Sequence, residues 1–292
     1  MNKKEFFLAI DIGGTKIDFC RFDEDFNLLF HERFLTKNFP TGKNSFLKEI
    51  LKIAKKHQVK ELKRVGVSIN CSVKKGVIKY ASFLGGKINY PLAFDFSKKL
   101  NLPVSVINDV YAMALAELYF SKNKDKDFTL INLGTGLRLA HISSGKPLKG
   151  STEQAGEIGS IEVCLPELNH KTLKMDDLVS GKGLENIFYC LAEKKEKAEF
   201  IFNNLNRDKN KKRAVAIFSD YLVELLGQVS FFYNPETIVL SGGLLKSQSK
   251  FLPIVRKKYL KKVPGFFRAK KIIVSKINLS AAKGALLSDY VF

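Results

Sequence analysis

Phe7-Leu8-Ala9-Ile10-Asp11-Ile12-Gly13-Gly14-Thr15-Lys16-Ile17-Asp18-Phe19 reads as strand, tight turn, strand. An apolar run ends in a carboxylate, two glycines and a threonine form the turn, and an alternating run leaves it. Adjacent glycines let backbone N–H groups approach an anion with no side chain in the way. Thr15 adds a hydroxyl and Lys16 a charge, and Asp11 stands at a strand end, where it can hold a divalent cation or a water beside bound phosphates. Taken alone, the stretch serves equally well as an ordinary hairpin turn. The choice depends on what the rest of the chain supplies for a phosphate.

The first such supply is an echo. Phe128-Thr129-Leu130-Ile131-Asn132-Leu133-Gly134-Thr135-Gly136-Leu137-Arg138-Leu139-Ala140-His141-Ile142 has the same form, with Asn132 in the place of Asp11 and Gly134 in the place of Gly13. This is a weak internal repeat, one copy opening each half of the chain. Two related halves, each with a glycine hairpin, would grip a polyphosphate from both sides.

The remaining pattern alternates strands with helices, which makes the class α/β. Residues 28–34 extend the opening hairpin by a third strand, and 44–57 have helical spacing, with Phe46, Leu47, Ile50, Leu51 and Ile53 on one side. Strands follow at 64–69 and 76–79, a loop at Gly85-Gly86 and a helix at 92–100. The strand at 103–107 ends in Asn108-Asp109, where a helix over 110–120 begins. Either residue can cap that helix, and only one is needed. The other is then left at the end of a strand, where open α/β sheets place their ligands. Further on, Glu157 is a lone acid flanked by glycines, in the kind of loop that carries ligand contacts. Helices are expected from Ser180 to about Glu193 and over 214–232. The strand at 237–240 closes with Ser241-Gly242-Gly243, either a crossover turn or a seat for a nucleotide on a helix N-terminus. A last strand spans 272–275, and Ser280 is placed as the cap of a final helix.

Composition narrows the class. A chain of 292 residues suggests about two domains, and 45% hydrophobic content is ample for a core. No uninterrupted apolar run reaches the ~18 residues of a membrane span, and the N-terminus enters its first strand without a signal-peptide pattern. The four cysteines (Cys20, Cys71, Cys164, Cys190) form no CxxC pair. A cytoplasmic protein with no membrane partner and no cysteine metal framework is expected. With 49 basic against 29 acidic residues the net charge is +20, which raises nucleic acid as a partner. The runs that carry the charge are lysine-rich, with no zinc-finger spacing and no RNA-binding signature, so nucleic acid is not the expected ligand. The charge would still attract polyanionic nucleotides.

Seven pieces then fall in one order: Asp11-Ile12-Gly13-Gly14-Thr15-Lys16, Asn108-Asp109, Gly134-Thr135-Gly136, Gly156-Glu157-Ile158-Gly159, Ser180-Gly181 with Leu184, Ser241-Gly242-Gly243 and Ala282-Lys283-Gly284-Ala285. Together they resemble the ROK family of bacterial glucokinase-like sugar kinases and sugar-responsive proteins over nearly the whole chain. The resemblance implies two actin-like (ribonuclease H-like) α/β domains with a cleft between them. It sets the smaller domain at 1–120 plus a C-terminal helix at about 278–292, and the larger at 121–277. It implies ATP-dependent phosphorylation of a sugar hydroxyl, commonly at C6, with Asp109 as general base and Asn108 holding a neighbouring hydroxyl. Asp11, Gly13, Gly14, Thr15 and Lys16 would form a first phosphate loop, and Gly134, Thr135 and Gly136 a second. Gly242 and Gly243 would lie near the adenosine, and Asp11 would hold Mg²⁺ through the phosphates. Glu157 and the residues at the positions of Ser160 and Asp176 would bind the sugar. Members of the family are often dimers or tetramers, which makes a homodimer one expected assembly.

The chain departs from the family where the sugar is read. Ser160 stands where the family has histidine. Asp176, with Asp177 as a competitor, stands where it has glutamate. Residues 161–174 are short and hold only Cys164 and His170 in place of a cysteine-rich zinc segment, so no structural zinc is expected. Leu137-Arg138-Leu139 follows the second loop instead of further glycine, with Arg138 set either to pair with a phosphate or to crowd it. Asn70-Cys71-Ser72 replaces a Pro-Gly turn. The leading expectation is a sugar kinase acting on glucose or an N-acetylhexosamine. The alternative is a catalytically weak or inactive member that binds a sugar as a sensor or regulator. The family's DNA-binding regulators carry a helix-turn-helix segment ahead of the first strand, which is not expected here.

Overall fold

The computed structural model describes residues 4–123, 125–166, 170–203, 205 and 207–288. The chain divides into two compact units: Met1–Lys124 with Lys149–Ala155 and Ile277–Phe292, and Asp125–Leu148 with Gly156–Lys276. The last four residues of the expected C-terminal helix, 289–292, lie outside the described residues.

The first unit begins with β1 (Phe6–Ile12), β2 (Lys16–Asp23) and β3 (Leu28–Leu35), followed by α1 (Lys43–Lys56) and β4 (Leu62–Ile69). A small antiparallel sheet of β5 (Ser72–Lys74), β6 (Val77–Ala81) and β7 (Gly86–Tyr90) comes next, then α2 (Leu92–Leu100), β8 (Val104–Asn108) and α3 (Asp109–Phe120). The main sheet runs β3-β2-β1-β4-β8, antiparallel through the hairpins and parallel from β1 to β4 to β8. β1 is central, so both its faces are covered. Leu8, Ile10 and Ile12 join Phe46, Ile50 and Phe96 in the core on one side, while Phe7 and Ala9 meet Ala282 and Leu286 on the other.

The second unit carries β9 (Phe128–Leu133), β10 (Leu137–Ser143), β11 (Lys146–Pro147), the ribbon β12 (Glu162–Leu165) and β13 (Lys171–Lys174), then α4 (Gly181–Ala192), α5 (Ala198–Asn203), α6 (Lys209–Tyr233), β14 (Thr237–Ser241), α7 (Leu252–Lys262) and β15 (Lys271–Val274). Its sheet order is β11-β10-β9-β14-β15, again two hairpins followed by two parallel neighbours. The weak sequence repeat is therefore a repeat of topology, strand for strand. The fold is α/β, with the actin-like duplication that the motifs imply.

Two helices differ from their expected form. α6 starts at Lys209 rather than at 214, because the Asp208 carboxylate accepts from the backbone N–H groups of Asn210 and Lys211 and caps it. Lys211 is then buried, with Nζ 2.6 Å from Glu196 Oε1. This helix is long and apolar enough to match a membrane span, although charged residues interrupt its apolar run, yet most of its apolar stretch is buried inside the unit. The final helix α8 (Ser280–Ala285) is not capped by Ser280. Its cap position is Leu279, in the left-handed region at φ +53°, with no side-chain cap bond. What secures α8 is packing on α3, where a Cβ placed on Gly284 would lie 1.7 Å from Ala112 O.

The segment Lys149–Ala155, expected in the second domain, belongs to the first unit. Tyr111 Oη donates to Ala155 O at 2.8 Å and Lys74 Nζ to Ser151 O at 2.9 Å.

Candidate active site

In the first unit, three chain segments converge on one end of the main sheet. The β1–β2 turn closes with Gly13 N–H donating to Lys16 O at 2.9 Å, leaving Gly14, Thr15 and Lys16 exposed. Thr36 ties the end of β3 to this turn by donating from Oγ1 to Gly13 O at 2.8 Å and from its N–H to Thr15 O at 3.0 Å. Gly14 lies outside the left-handed region, and a Cβ on it would meet nothing within 4 Å. Folding does not require glycine there. We therefore predict that Gly14→Ala changes stability by less than about 1 kcal/mol in urea melts, and a loss of several kcal/mol would contradict this.

Asp11 lies at the end of β1 and accepts from Ser68 Oγ on β4 at 2.5 Å. Burial pushes its carboxyl up to about 7, and the Asp109 and Asp18 carboxylates add to the rise, against the Ser68 hydrogen bond and Arg33. Ser68 is a positioning residue that the sequence reading passed over. A buried serine in an apolar strand shows no signal until its neighbour is known.

Asp109 is the first residue of α3, directly after β8. Its Oδ1 accepts from Val110 N–H at 2.9 Å. Asn108 is the cap: its Oδ1 accepts from the same N–H at 3.0 Å, and its Nδ2 donates to Cys71 O at 3.0 Å. An amide has two donors and an acceptor with two lone pairs, so Asn108 keeps capacity for one more partner of each kind. The Asn70-Cys71-Ser72 corner is thus fastened to the helix start that carries Asp109.

Burial, with a smaller contribution from repulsion by the Asp109 and Asp18 carboxylates, is what brings Asp11 to titrate near neutrality. The sign of the pH effect follows. The folded chain holds the Asp11 proton between about pH 4 and 7, where the unfolded chain has lost it, so this group's contribution to stability falls as pH rises through 7. Asp11→Asn is predicted to melt higher than the wild type by several degrees at pH 8, about 2 kcal/mol or more, with the gap closing toward pH 5. A gap that does not change with pH would contradict this.

The second unit presents its own cluster around the β9–β10 turn. Gly134 N–H donates to Gly136 O at 3.1 Å, and Gly134 O accepts from Gly181 N–H at 2.8 Å. Gly242, at φ +103°, packs so closely that a Cβ would lie 2.4 Å from Leu133 O and 2.5 Å from Asn132 Oδ1. Gly243, next to it, has open space where a Cβ would be. The Ser180 hydroxyl caps α4, accepting from Gly183 N–H at 2.9 Å. Gly134, Thr135, Gly136, Gly242 and Gly243 therefore assemble around one turn within this unit.

Glu157, Ser160 and Asp176, the residues expected to read a sugar, lie in the same unit as this cluster. Gly156 at φ +94° abuts Leu139 O, where a Cβ would come within 2.3 Å, and this sets the chain direction into the short 3₁₀ turn Ile158–Ser160. Ile158 and Gly159 are buried in that turn, while Glu157 and Ser160 are exposed. Glu157 makes no side-chain bond among the described residues. Asp176 and Arg138 both bond to the backbone of Leu137. Asp176 accepts from the Leu137 N–H, and its Oδ1 lies 3.0 Å from where a Gly136 Cβ would sit, so it braces the second turn from beneath. Arg138 donates from Nη1 to Leu137 O at 2.8 Å, folding back onto its own strand.

A family model described as the ROK family matches residues 7–287. The N-acetyl-D-glucosamine kinase of Haemophilus influenzae is 26% identical over 263 residues, covering 82% of this chain and 84% of the relative. Among solved structures, a ROK family glucokinase from Streptomyces griseus in complex with glucose and AMPPNP superposes with a TM-score of 0.79 at 21% identity, over 98% of this chain and 99% of that one. A ROK family transcriptional regulator, a homologue of the E. coli MLC protein, superposes with a TM-score of 0.84 at 18% identity, over 98% of this chain and 78% of the regulator.

Proposed function

This chain belongs to the ROK family, and on that footing we propose that it is an ATP-dependent sugar kinase, transferring the terminal phosphate of Mg-ATP to a hydroxyl, at C6, of a hexose or N-acetylhexosamine. The observation that carries the reading is Asp109. A carboxylate fixed at the start of a helix, at the end of a sheet and beside a second carboxylate suited to a metal, is a base next to a phosphate site. Phosphoryl transfer needs positioning and charge compensation more than covalent chemistry. In this reading Asp109 accepts the proton of the attacking hydroxyl, Asn108 orients a neighbouring hydroxyl, and Glu157 and Ser160 hold the sugar. The N–H groups of Gly13, Gly14, Thr15 and of Gly134, Thr135, Gly136 bind phosphate oxygens, with Lys16 adding charge. Gly242 and Gly243 leave room for the adenosine. Mg²⁺ held through Asp11 would offset charge on the transferring group. Asp176 contributes by bracing the second turn.

A second reading is a sugar-binding member without efficient turnover. Ser160 in place of an imidazole, Arg138 folded against Leu137 O and the commitment of Asp176 to the backbone favour it. A panel assay separates the two. The purified protein is mixed with Mg-ATP and glucose, mannose, N-acetylglucosamine or N-acetylmannosamine, while ADP release and melting temperature are followed. The kinase reading expects ADP release that depends on one of the sugars. A sugar that raises the melting temperature while no sugar elicits ADP supports the second.

A further inference from the structure

Asp18 lies opposite Asp11 in the β1–β2 hairpin and opposite Arg33 in the β2–β3 pair. Directly paired residues on neighbouring strands project to the same face. Asp11, Asp18 and Arg33 therefore form one row across three strands, with His31 two residues along on the same face. Asp18 is 6% exposed. Arg33 grips it with two hydrogen bonds, Nε to Oδ1 at 2.6 Å and Nη2 to Oδ2 at 3.1 Å, and His31 Nε2 lies 2.6 Å from Oδ1.

This carboxylate works against its surroundings. It is buried, it repels Asp11, and on its own it would repel a phosphate. A small apolar residue would fill the position without either cost. Its effect is to fix the Arg33 guanidinium in one orientation. Arg33 remains 47% exposed in its side chain. Of the five N–H donors of a guanidinium, two engage Asp18 and the others have no protein partner among the described residues. Three residues later, Thr36 is bonded to both Gly13 O and Thr15 O, so the strand that carries Arg33 is fastened to the phosphate turn. In the repeated hairpin, the position paired with Asn132 is itself an arginine, Arg138.

We propose that Arg33, clamped by Asp18 and His31 on the strand face that carries Asp11, binds the polyphosphate of the nucleotide held by the first phosphate turn. The proposal rests on the kinase reading for the presence of that nucleotide. Planar, pre-oriented guanidinium groups bind phosphate oxygens through paired N–H donors.

The test is the dissociation constant of Mg-AMP-PNP, by calorimetry, for the wild type, Arg33→Gln, Arg33→Lys and the double variant Asp18→Asn/Arg33→Gln. Arg33→Gln is expected to weaken binding about 10- to 100-fold, and Arg33→Lys to recover part of the loss. The double variant should stay as weak as Arg33→Gln, and the sugar-induced rise in melting temperature should be unchanged throughout. An arginine present only to neutralise Asp18 gives a different result: the double variant, with no unpaired charge, regains wild-type affinity, and the proposal is overturned. Wild-type affinity in Arg33→Gln overturns it equally. A wild type that binds no Mg-AMP-PNP overturns the kinase reading and this proposal together, so the two failures are distinguishable.

Discussion

Asp109→Asn is expected to lower kcat by about 10²- to 10⁴-fold while leaving the melting temperature and the sugar-induced stabilisation close to those of the wild type. The helix start does not depend on the Asp109 charge, because Asn108 Oδ1 accepts from Val110 N–H and the Asn108 amide holds Cys71 O. Asparagine has the same shape and keeps an oxygen for the neighbouring N–H, so the substitution removes the negative charge of the proposed proton acceptor. The loss should appear in kcat rather than in KM for the sugar, since a general base acts on a proton in flight more than on ground-state binding. The variant also removes a carboxylate that raises the Asp11 pKa, so Asp11 should titrate lower in Asp109→Asn. Full activity in this variant would remove the base assignment.

Gly284→Ala is expected to destabilise the protein by about 3 kcal/mol or more, enough to lower the soluble yield. The sign is the informative part. In an exposed helix, exchanging glycine for alanine stabilises by roughly 1 kcal/mol. Here the added Cβ would stand 1.7 Å from Ala112 O and 2.4 Å from Ala112 C, both backbone atoms. Neither can step aside without moving α3, and α3 begins with Asp109. Even a folded Gly284→Ala chain should therefore lose activity, through displacement of Asp109, the proposed base. Gly14→Ala, the same chemical change in open space, serves as the contrast. Urea melts of the two variants measure both effects, and a Gly284→Ala protein as stable as the wild type would contradict this account of the α3–α8 contact.

The parts of the fold legible in the sequence were those with a local signal. The glycine turn after Asp11, its echo after Asn132 and the Asn108-Asp109 junction each join a strand pattern to a breaker or a cap, and the structure has a β-hairpin or a strand–helix step at each. The hidden parts depend on distant neighbours. Ser68 matters because β4 lies beside β1, which no local pattern states. Asp176 is read by position as a sugar ligand, yet it sits where the Leu137 N–H needs an acceptor, 39 residues away in sequence. The charged residues opening α6 look like a solvated loop until Asp208 is seen to cap them and Lys211 to be buried on Glu196. Ser280 has the composition of a cap but stands one position inside the helix, after a left-handed Leu279. Strands β5 and β7 are short and each mixes a lysine with apolar and polar residues, so their periodicity is weak. In each case the deciding interaction is tertiary, and propensity gives way to it.

³¹P NMR of one reaction mixture tests phosphoryl transfer to a sugar most directly. Wild-type protein, Mg-ATP and the acceptor identified by the sugar panel should yield ADP and a sugar monophosphate in equal amounts, with the product resonance coupled to the protons of a primary carbon. ATP left unchanged with every sugar, or ADP accompanied by inorganic phosphate in place of a sugar phosphate, would contradict the account.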